Sequence, residues 1–327
     1  MHDIISTKTD IAMTRSKDAS LPGIVVVARD ERAHLRRTLE NLRDTLPHGS
    51  DILVVDDGST DGGTRFLYAR QSLARVVKGG RLGVAGARNL GARRVKGSVL
   101  IFCDAHLWLE CGWWEPLVAR LHKPLVGGAA PVIVDVDEQA RRGAGLYLAG
   151  PDLRAEWYRK QDSLPRRVPI LPGACLAIRR RTLAACGGFD TGMICSGGVD
   201  NEFCLRLWLL GYEQWIEPRI EVAHLFRREQ PYPIRSATIL HNRLRLAMIH
   251  FSQERIDRVT AALQAYDAFP AALRLASRGN HALCRARWIA RRVYDDDWFF
   301  RRFKKMEHLQ IAIRQERQYD RKRRITR

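Results

Sequence analysis

Short β-branched runs alternate with amphipathic helical patterns through the first hundred residues, and this alternation constrains the fold more than any other feature of the chain. Ile24-Val25-Val26-Val27-Ala28 precedes a stretch that places Leu35, Leu39, Leu42 and Leu46 on one helical face. Asp51-Ile52-Leu53-Val54-Val55 follows, broken by Asp56-Asp57-Gly58-Ser59-Thr60-Asp61-Gly62, whose Asp, Gly and Ser content predicts a loop and a helix cap. Val76-Val77, a glycine turn at 79–83, a helix from Ala85 to Val95 and the run Ser98 to His106 continue the series. Strands alternating with helices predict an α/β fold, a mostly parallel, helix-covered sheet with its sites at the carboxyl ends of the strands. The polar clusters just named all fall at those ends.

Leu100-Ile101-Phe102-Cys103-Asp104-Ala105-His106 ends one such strand. Side chains two apart on an extended backbone point the same way, so Asp104 and His106 leave the strand side by side. One carboxylate oxygen and one imidazole nitrogen suit Mn²⁺ or a similar divalent ion, which would neutralise a diphosphate. The bland alternative is an Asp that caps the next turn beside a surface His. His224, at the end of the apolar run Gln214 to Val222, is a third candidate ligand or else a hydrogen-bonded structural residue. Arg227 and Arg228 follow at once and can clamp a diphosphate, or are surface arginines. Asp57 is a candidate acceptor for the imide N–H of uracil, with helix capping as the alternative. Arg88 is a candidate contact for base or phosphate.

The second half changes character. Val126 to Val136 is apolar, Tyr147 to Pro172 reads as an irregular, substrate-facing insertion, and Cys175-Leu176-Ala177-Ile178 as a further strand. Ser196-Gly197-Gly198-Val199-Asp200-Asn201-Glu202 is a Gly-rich loop that opens a helix ending at Gly211, with two acids in its first turn. From Ile239 onward the pattern is helical and basic. Fifty-five Lys and Arg against 36 Asp and Glu give a net charge of +19, which calls for an anionic partner. No base-reading motif accompanies that diffuse charge, so a nucleic-acid partner is not expected. There is no G-x-x-x-x-G-K-[ST], and no G-x-G-x-x-G follows the first strand, which leaves neither a P-loop nor a dinucleotide fold. Seven cysteines without C-x-x-C spacing read as reduced core residues of a cytoplasmic protein. The first twenty residues lack an apolar core, and no run approaches the roughly 18 apolar residues that span a bilayer.

Over roughly residues 22 to 250 the chain resembles a nucleotide-sugar glycosyltransferase of the GT-A fold, and within that fold the catalytic domain of the polypeptide N-acetylgalactosaminyltransferases. The resemblance is carried in order by Ile52 to Ser59, Arg81-Leu82-Gly83 with Ala87-Arg88, Leu100 to His106, Gly112-Trp113-Trp114-Glu115-Pro116-Leu117 and Pro131 to Val136. Gly197-Gly198 with Glu202, Ala223 to Arg228 and His241 to Ala247 complete it. It implies that Asp104, His106 and His224 bind Mn²⁺ (or Mg²⁺) and that the donor is a UDP-sugar. Where the family has Trp-Gly-Gly-Glu-Asn, this chain has Ser196-Gly197-Gly198-Val199-Asp200, so Val199 stands for the Glu that holds the sugar hydroxyls. Asp200-Asn201-Glu202 instead resembles the acidic loop of inverting family-two enzymes, in which an Asp is the general base.

The expectations are therefore a loose arm over 1–21, a catalytic domain over 22–250 and a basic helical extension over 251–327 in place of a lectin domain. The catalytic set is Asp200, Glu202 and Arg227. The nucleotide-sugar set is Ala28, Asp57, Arg88, Asp104, Gly173 and Arg228. The metal set is Asp104, His106 and His224. The acceptor is a peptide or small molecule. The alternative is an inverting transferase acting on a lipid-linked glycan, with the basic tail on an anionic membrane surface.

Overall fold

Val, Ile and Leu runs buried on both faces become the centre of one sheet, as near-continuous apolar strands require. In a computed structural model the described residues are 21–304, without 70–71, 139, 160–162 and 228. The expected arm lies outside them except for Leu21, as does the chain beyond 304. The first half alternates β1 (Gly23–Ala28), α1 (Ala33–Thr45), β2 (Ile52–Asp56), β3 (Arg75–Lys78), α2 (Gly83–Arg94) and β4 (Val99–Asp104). Leu35, Leu39, Leu42 and Leu46 of the predicted stripe are all buried. The two-residue β5 (Leu107–Trp108), α3 (Glu115–Leu121) and the ten-residue β6 (Val126–Asp135) come next.

Beyond β6 the chain makes an excursion through β7 (Arg142–Gly143), β8 (Leu146–Ala149), β9 (Arg154–Trp157) and β10 (Arg166–Arg167). The segment read as irregular thus holds a hairpin, β8 on β9, turned at Gly150. The chain re-enters the sheet as β11 (Cys175–Arg179), then passes through α4 (Arg180–Ala185), α5 (Val199–Leu209) and β12 (Glu213–His224). The strand order is β3-β2-β1-β4-β11-β6-β12-β10. β3, β2, β1 and β4 are parallel, as are β6 and β12. β11 runs antiparallel between β4 and β6, so its amino end lies beside the carboxyl end of β4, where the Asp104 N–H donates to the Ala174 carbonyl at 2.9 Å. The short β5 pairs with the last residues of β12, setting His224 opposite Leu107.

Among the described residues, β12 is followed by α6 (Ser236–His250), α7 (Gln253–Leu263), α8 (Phe269–Ser277) and α9 (His281–Ile289), and then by helical residues at 296–304. Val259, Leu263, Phe269, Ala272 and Phe299 belong to the same apolar cluster as Phe102 and Phe203, so the core runs unbroken across residue 250.

Helix α2 lies so close to the sheet that only Gly fits at residue 91. A β-carbon there would stand 2.3 Å from Val25 Cγ1 and 3.1 Å from Val55 Cγ2. Gly91→Ala therefore overpacks the core and is expected to cost about 1–3 kcal/mol. In urea unfolding the midpoint should fall while the slope stays unchanged.

Candidate active site

Three loops meet at the carboxyl ends of β1, β2 and β4. After β1 the backbone turns through positive φ at Asp30 (54°) and Arg32 (50°), unusual for residues with a β-carbon. The second loop holds it there. Asp30 Oδ1 accepts from the Thr60 (2.6 Å) and Asp61 (3.2 Å) backbone N–H groups, and the Arg32 N–H donates to Asp61 Oδ2 at 2.7 Å. The strained turn aims Glu31 inward beneath the third loop.

There Glu31 Oε2 lies 3.1 Å from His106 Nδ1, while Arg227 clasps both Glu31 oxygens. Burial favours protonation of Glu31, but His106 and Arg227 outweigh it and hold the carboxyl below its ordinary range. A carboxylate can only accept, so it draws the imidazole proton to Nδ1 and leaves Nε2 as a lone pair. That Nε2 lies 3.1 Å from His224 Nε2, which in turn lies 3.2 Å from Asp104 Oδ2. The three ligand atoms fall within 4.8 Å of one another. Strand pairing brings His224 in from 118 residues away, and the Leu225 N–H locks the approach by donating to the His106 carbonyl. Burial opposes ionisation of Asp104, but His224, His106 and Arg88 together hold its carboxyl at about 2. Two imidazole nitrogens and one carboxylate oxygen facing a common point form a donor set that fits Mn²⁺ or a similar divalent cation.

The trio opens onto a cavity of about 290 Å³ whose wall also includes Arg29, Glu31, Asp57, Arg88 and Arg227. Its floor is the loop at 194–198, held by Asn242 of α6. The Asn242 side-chain NH₂ donates to the Ile194 and Gly197 carbonyls at 3.0 and 2.6 Å, and Oδ1 accepts from the Ile194 N–H at 2.9 Å.

Several expected site residues have other duties. Asp57 is buried on the cavity wall, and both its oxygens accept backbone N–H groups at the start of α2, from Leu82 at 2.5 Å and Gly83 at 2.9 Å. This is the capping role, made across loops. Burial pushes its carboxyl up in spite of those two bonds. Gly83 can meet it because its φ is +72° and its open side faces the Cys195 backbone. Arg88 is buried, donates to Asp200 Oδ1 at 2.5 Å and to the Gly173 carbonyl at 2.8 Å, and lies 4.0 Å from Asp104. Asp200, expected as a base, does not line the cavity and is engaged by Arg88. Gly173 is likewise set back from the cavity wall: a β-carbon on it would stand 2.1 Å from Asp200 Oδ2, so the glycine makes room for the ion pair.

Glu202, expected as catalytic, is fully buried behind the site. Arg206 binds both its oxygens at 2.7 and 2.8 Å, and His250 Nε2 approaches at 2.8 Å. This is a structural cluster within the core. Ala28 is buried and contributes its carbonyl, which accepts the Asp57 N–H at 2.9 Å. Arg228 lies outside the described residues. Sequence reasoning missed Glu31 and Arg29, although Arg29-Asp30-Glu31 is a charged cluster at a strand's carboxyl end. Arg29 lies over the Tyr232 ring at 4.3 Å, with its Nε buried, without a hydrogen-bond partner and 4.0 Å from Asp30 Oδ2.

Residues 23–187 match the model of the family described as glycosyl transferase family 2. Among characterised proteins the chain is 30% identical over 257 residues to polypeptide N-acetylgalactosaminyltransferase 15 of Homo sapiens, covering 70% of this chain and 40% of that one. It is 27% identical over 315 residues to polypeptide N-acetylgalactosaminyltransferase 13 of Rattus norvegicus, covering 86% of this chain and 56% of the relative. The chain thus spans about half the length of the curated relatives it matches. A crystal structure of GalNAc-T7 with UDP, GalNAc and Mn²⁺ superposes with a TM-score of 0.70 at 22% identity, over 87% of this chain and 56% of that one.

The Glu202 cluster yields a stability test. Burial favours the protonated acid, yet Arg206 and His250 hold the carboxyl down to about 2, from an ordinary value of 4.5. A depressed folded value means stability that is complete above about pH 4.5 and lost as the pH falls toward 2. Glu202→Gln leaves Arg206 buried without its counter-charge and should cost about 3–5 kcal/mol at neutral pH. Chemical denaturation from pH 7 down to 3 should show the native-to-variant gap shrinking in the acid limb.

Proposed function

The chain belongs to glycosyl transferase family 2, and we propose that it moves an N-acetylhexosamine from a UDP-sugar, with a divalent metal, to a hydroxyl or thiol acceptor on a peptide or small natural product. The convergence of Asp104, His106 and His224 at the mouth of the cavity carries this reading. The donor choice rests on similarity to polypeptide N-acetylgalactosaminyltransferases.

In this reading Asp104, His106 and His224 hold the ion, and the imidazole nitrogens favour Mn²⁺ over Mg²⁺. Such an ion offsets the charge that grows on a diphosphate as it leaves. Glu31 keeps the His106 lone pair turned toward the cavity, and Arg227, held by Glu31, stands on the same wall for the leaving phosphates. Arg29 adds an Nε donor without a hydrogen-bond acceptor. The carboxylates on the described wall are Glu31, Asp57 and Asp104, and each is already engaged: by Arg227, by two backbone N–H groups and by His224. An inverting displacement needs a carboxylate free to take the acceptor's proton, so this wall supports retention of the anomeric configuration. All seven cysteines are free thiols, which supports a reducing, cytoplasmic setting.

Thermal melts with Mn²⁺ and a panel of nucleotides test the proposal. UDP at a hundred times its Kd should stabilise the native protein by about 2.7 kcal/mol. In His224→Ala the Mn²⁺-dependent part of that gain should vanish while the metal-free melting temperature holds. Hydrolysis assays on UDP-N-acetylhexosamines and UDP-hexoses then identify the sugar, and the NMR anomeric coupling of the product should match the donor's. A nucleotide response that ignores Mn²⁺ in the native protein would remove the metal from the reaction.

A further inference from the structure

Arg88 shares one guanidinium among three oxygens at the back of the cavity. Its Nη1 donates to Asp200 Oδ1 at 2.5 Å and its Nη2 to the Gly173 carbonyl at 2.8 Å, while the same Nη2 stops 4.0 Å from Asp104 Oδ1. That last gap is too long for a hydrogen bond. Asp104 faces two ways across it: Oδ1 is turned to the guanidinium, and Oδ2 lies 3.2 Å from His224 Nε2, on the side where the three ligand atoms converge. A metal ion and Arg88 are therefore rivals for one carboxylate charge. The group that restrains Arg88 lies on the other side of it. Asp200 comes from the first turn of α5, and Gly173 leaves the space that its carboxylate occupies, since a β-carbon there would stand 2.1 Å from Oδ2. With Arg88 only 4% exposed, the protein must supply the counter-charge. Among the described residues, Asp200 and Asp104 are the carboxylates within 4.0 Å of it.

We propose that Asp200 is a positioning residue for the metal centre: by binding Arg88 it keeps the guanidinium off Asp104 and leaves that carboxylate to the ion. This rests on the reading of Asp104, His106 and His224 as metal ligands. The position calls for a charge, because an Asn there can still accept a hydrogen bond but leaves the buried guanidinium short of an anion. Asp104 is then the nearest one. Closing the 4.0 Å gap by about 1 Å turns a through-space attraction into a charge-assisted hydrogen bond on Oδ1. A carboxylate bound in this way presents less negative charge to a cation, and the guanidinium, brought nearer, repels that cation directly. If Asp200 did no more than balance a buried charge, its loss would lower stability and leave metal affinity alone.

Calorimetric Mn²⁺ titration of the full chain at neutral pH, without nucleotide, reads the effect directly. Asp200→Asn should weaken Mn²⁺ binding at least about tenfold, the scale of one charge-assisted hydrogen bond. Adding Arg88→Met to that variant removes the rival cation, and Mn²⁺ affinity should return to the native value or exceed it. Such a reversal is the signature of coupled residues in a double-mutant cycle, and loss of a scaffold contact does not produce it. Where Asp200→Asn alone does not fold, the double variant, which lacks both members of the ion pair, carries the test against the native chain. The proposal is overturned if Asp200→Asn binds Mn²⁺ as tightly as the native chain, or if the double variant binds it more weakly than the native chain. His224→Ala separates this proposal from the reading beneath it and should lose Mn²⁺ binding. Native affinity in His224→Ala, or none in the native chain, overturns the metal site and this proposal together, whereas a silent His224→Ala beside an unaffected Asp200→Asn overturns this proposal alone.

Discussion

A guanidinium buried to 4% exposure at the centre of the molecule sets the terms for everything around it. Taking an ion out of water costs several kcal/mol unless its partners are close and well aimed. Arg88 meets that demand with the Asp200 carboxylate, the Gly173 carbonyl, the more distant Asp104 carboxylate and the Phe189 ring at 5.2 Å. Those partners come from α5, the loop before β11, β4 and the segment between α4 and α5. None of these elements can move independently without stranding a charge, so the back of the cavity is rigid before any ligand arrives.

The alternating pattern made the parallel half of the sheet legible, because strand identity there depends on runs of four or five residues. The side-by-side placing of Asp104 and His106 was legible for the same local reason: residues two apart on an extended backbone share a side. His224 was visible only as a candidate, since its place depends on β12 meeting β5 from more than a hundred residues away. Glu31 escaped notice because a positive-φ turn, held by side chains of another loop, decides where it points. Glu202 misled because a sequence shows an acid in a helix's first turn but not that both faces of the helix are buried. Arg206 at i+4 was a readable hint of its real partner, whereas His250 was not. The β8–β9 hairpin hid in a stretch whose Gly150-Pro151-Asp152 turn signal was overshadowed by its mixed composition.

The Ser196-Gly197-Gly198-Val199-Asp200 loop also makes physical sense as a unit. Val199 is buried in the apolar cluster, and the acid comes one residue later. One residue along a helix is about 100° around its axis, and in that direction the carboxylate meets Arg88. The negative charge is kept near the site but serves the scaffold, while Ser196 is the loop's polar side chain on the cavity wall.

His224 closes the last long strand of the sheet, and its partners Asp104 and His106 lie on the first half of the chain. During synthesis the parallel strands β1, β2 and β4 can pair well before residue 224 exists, but the three-ligand cluster cannot. Bringing its two halves together closes a loop of more than a hundred residues, a slow and late event in folding. An ion captured by all three side chains would bind only the completed sheet and so would draw the chain toward it. The cluster then acts as a checkpoint of chain completion: an unfinished or mispaired β12 leaves a protein with much of its core but without its chemistry.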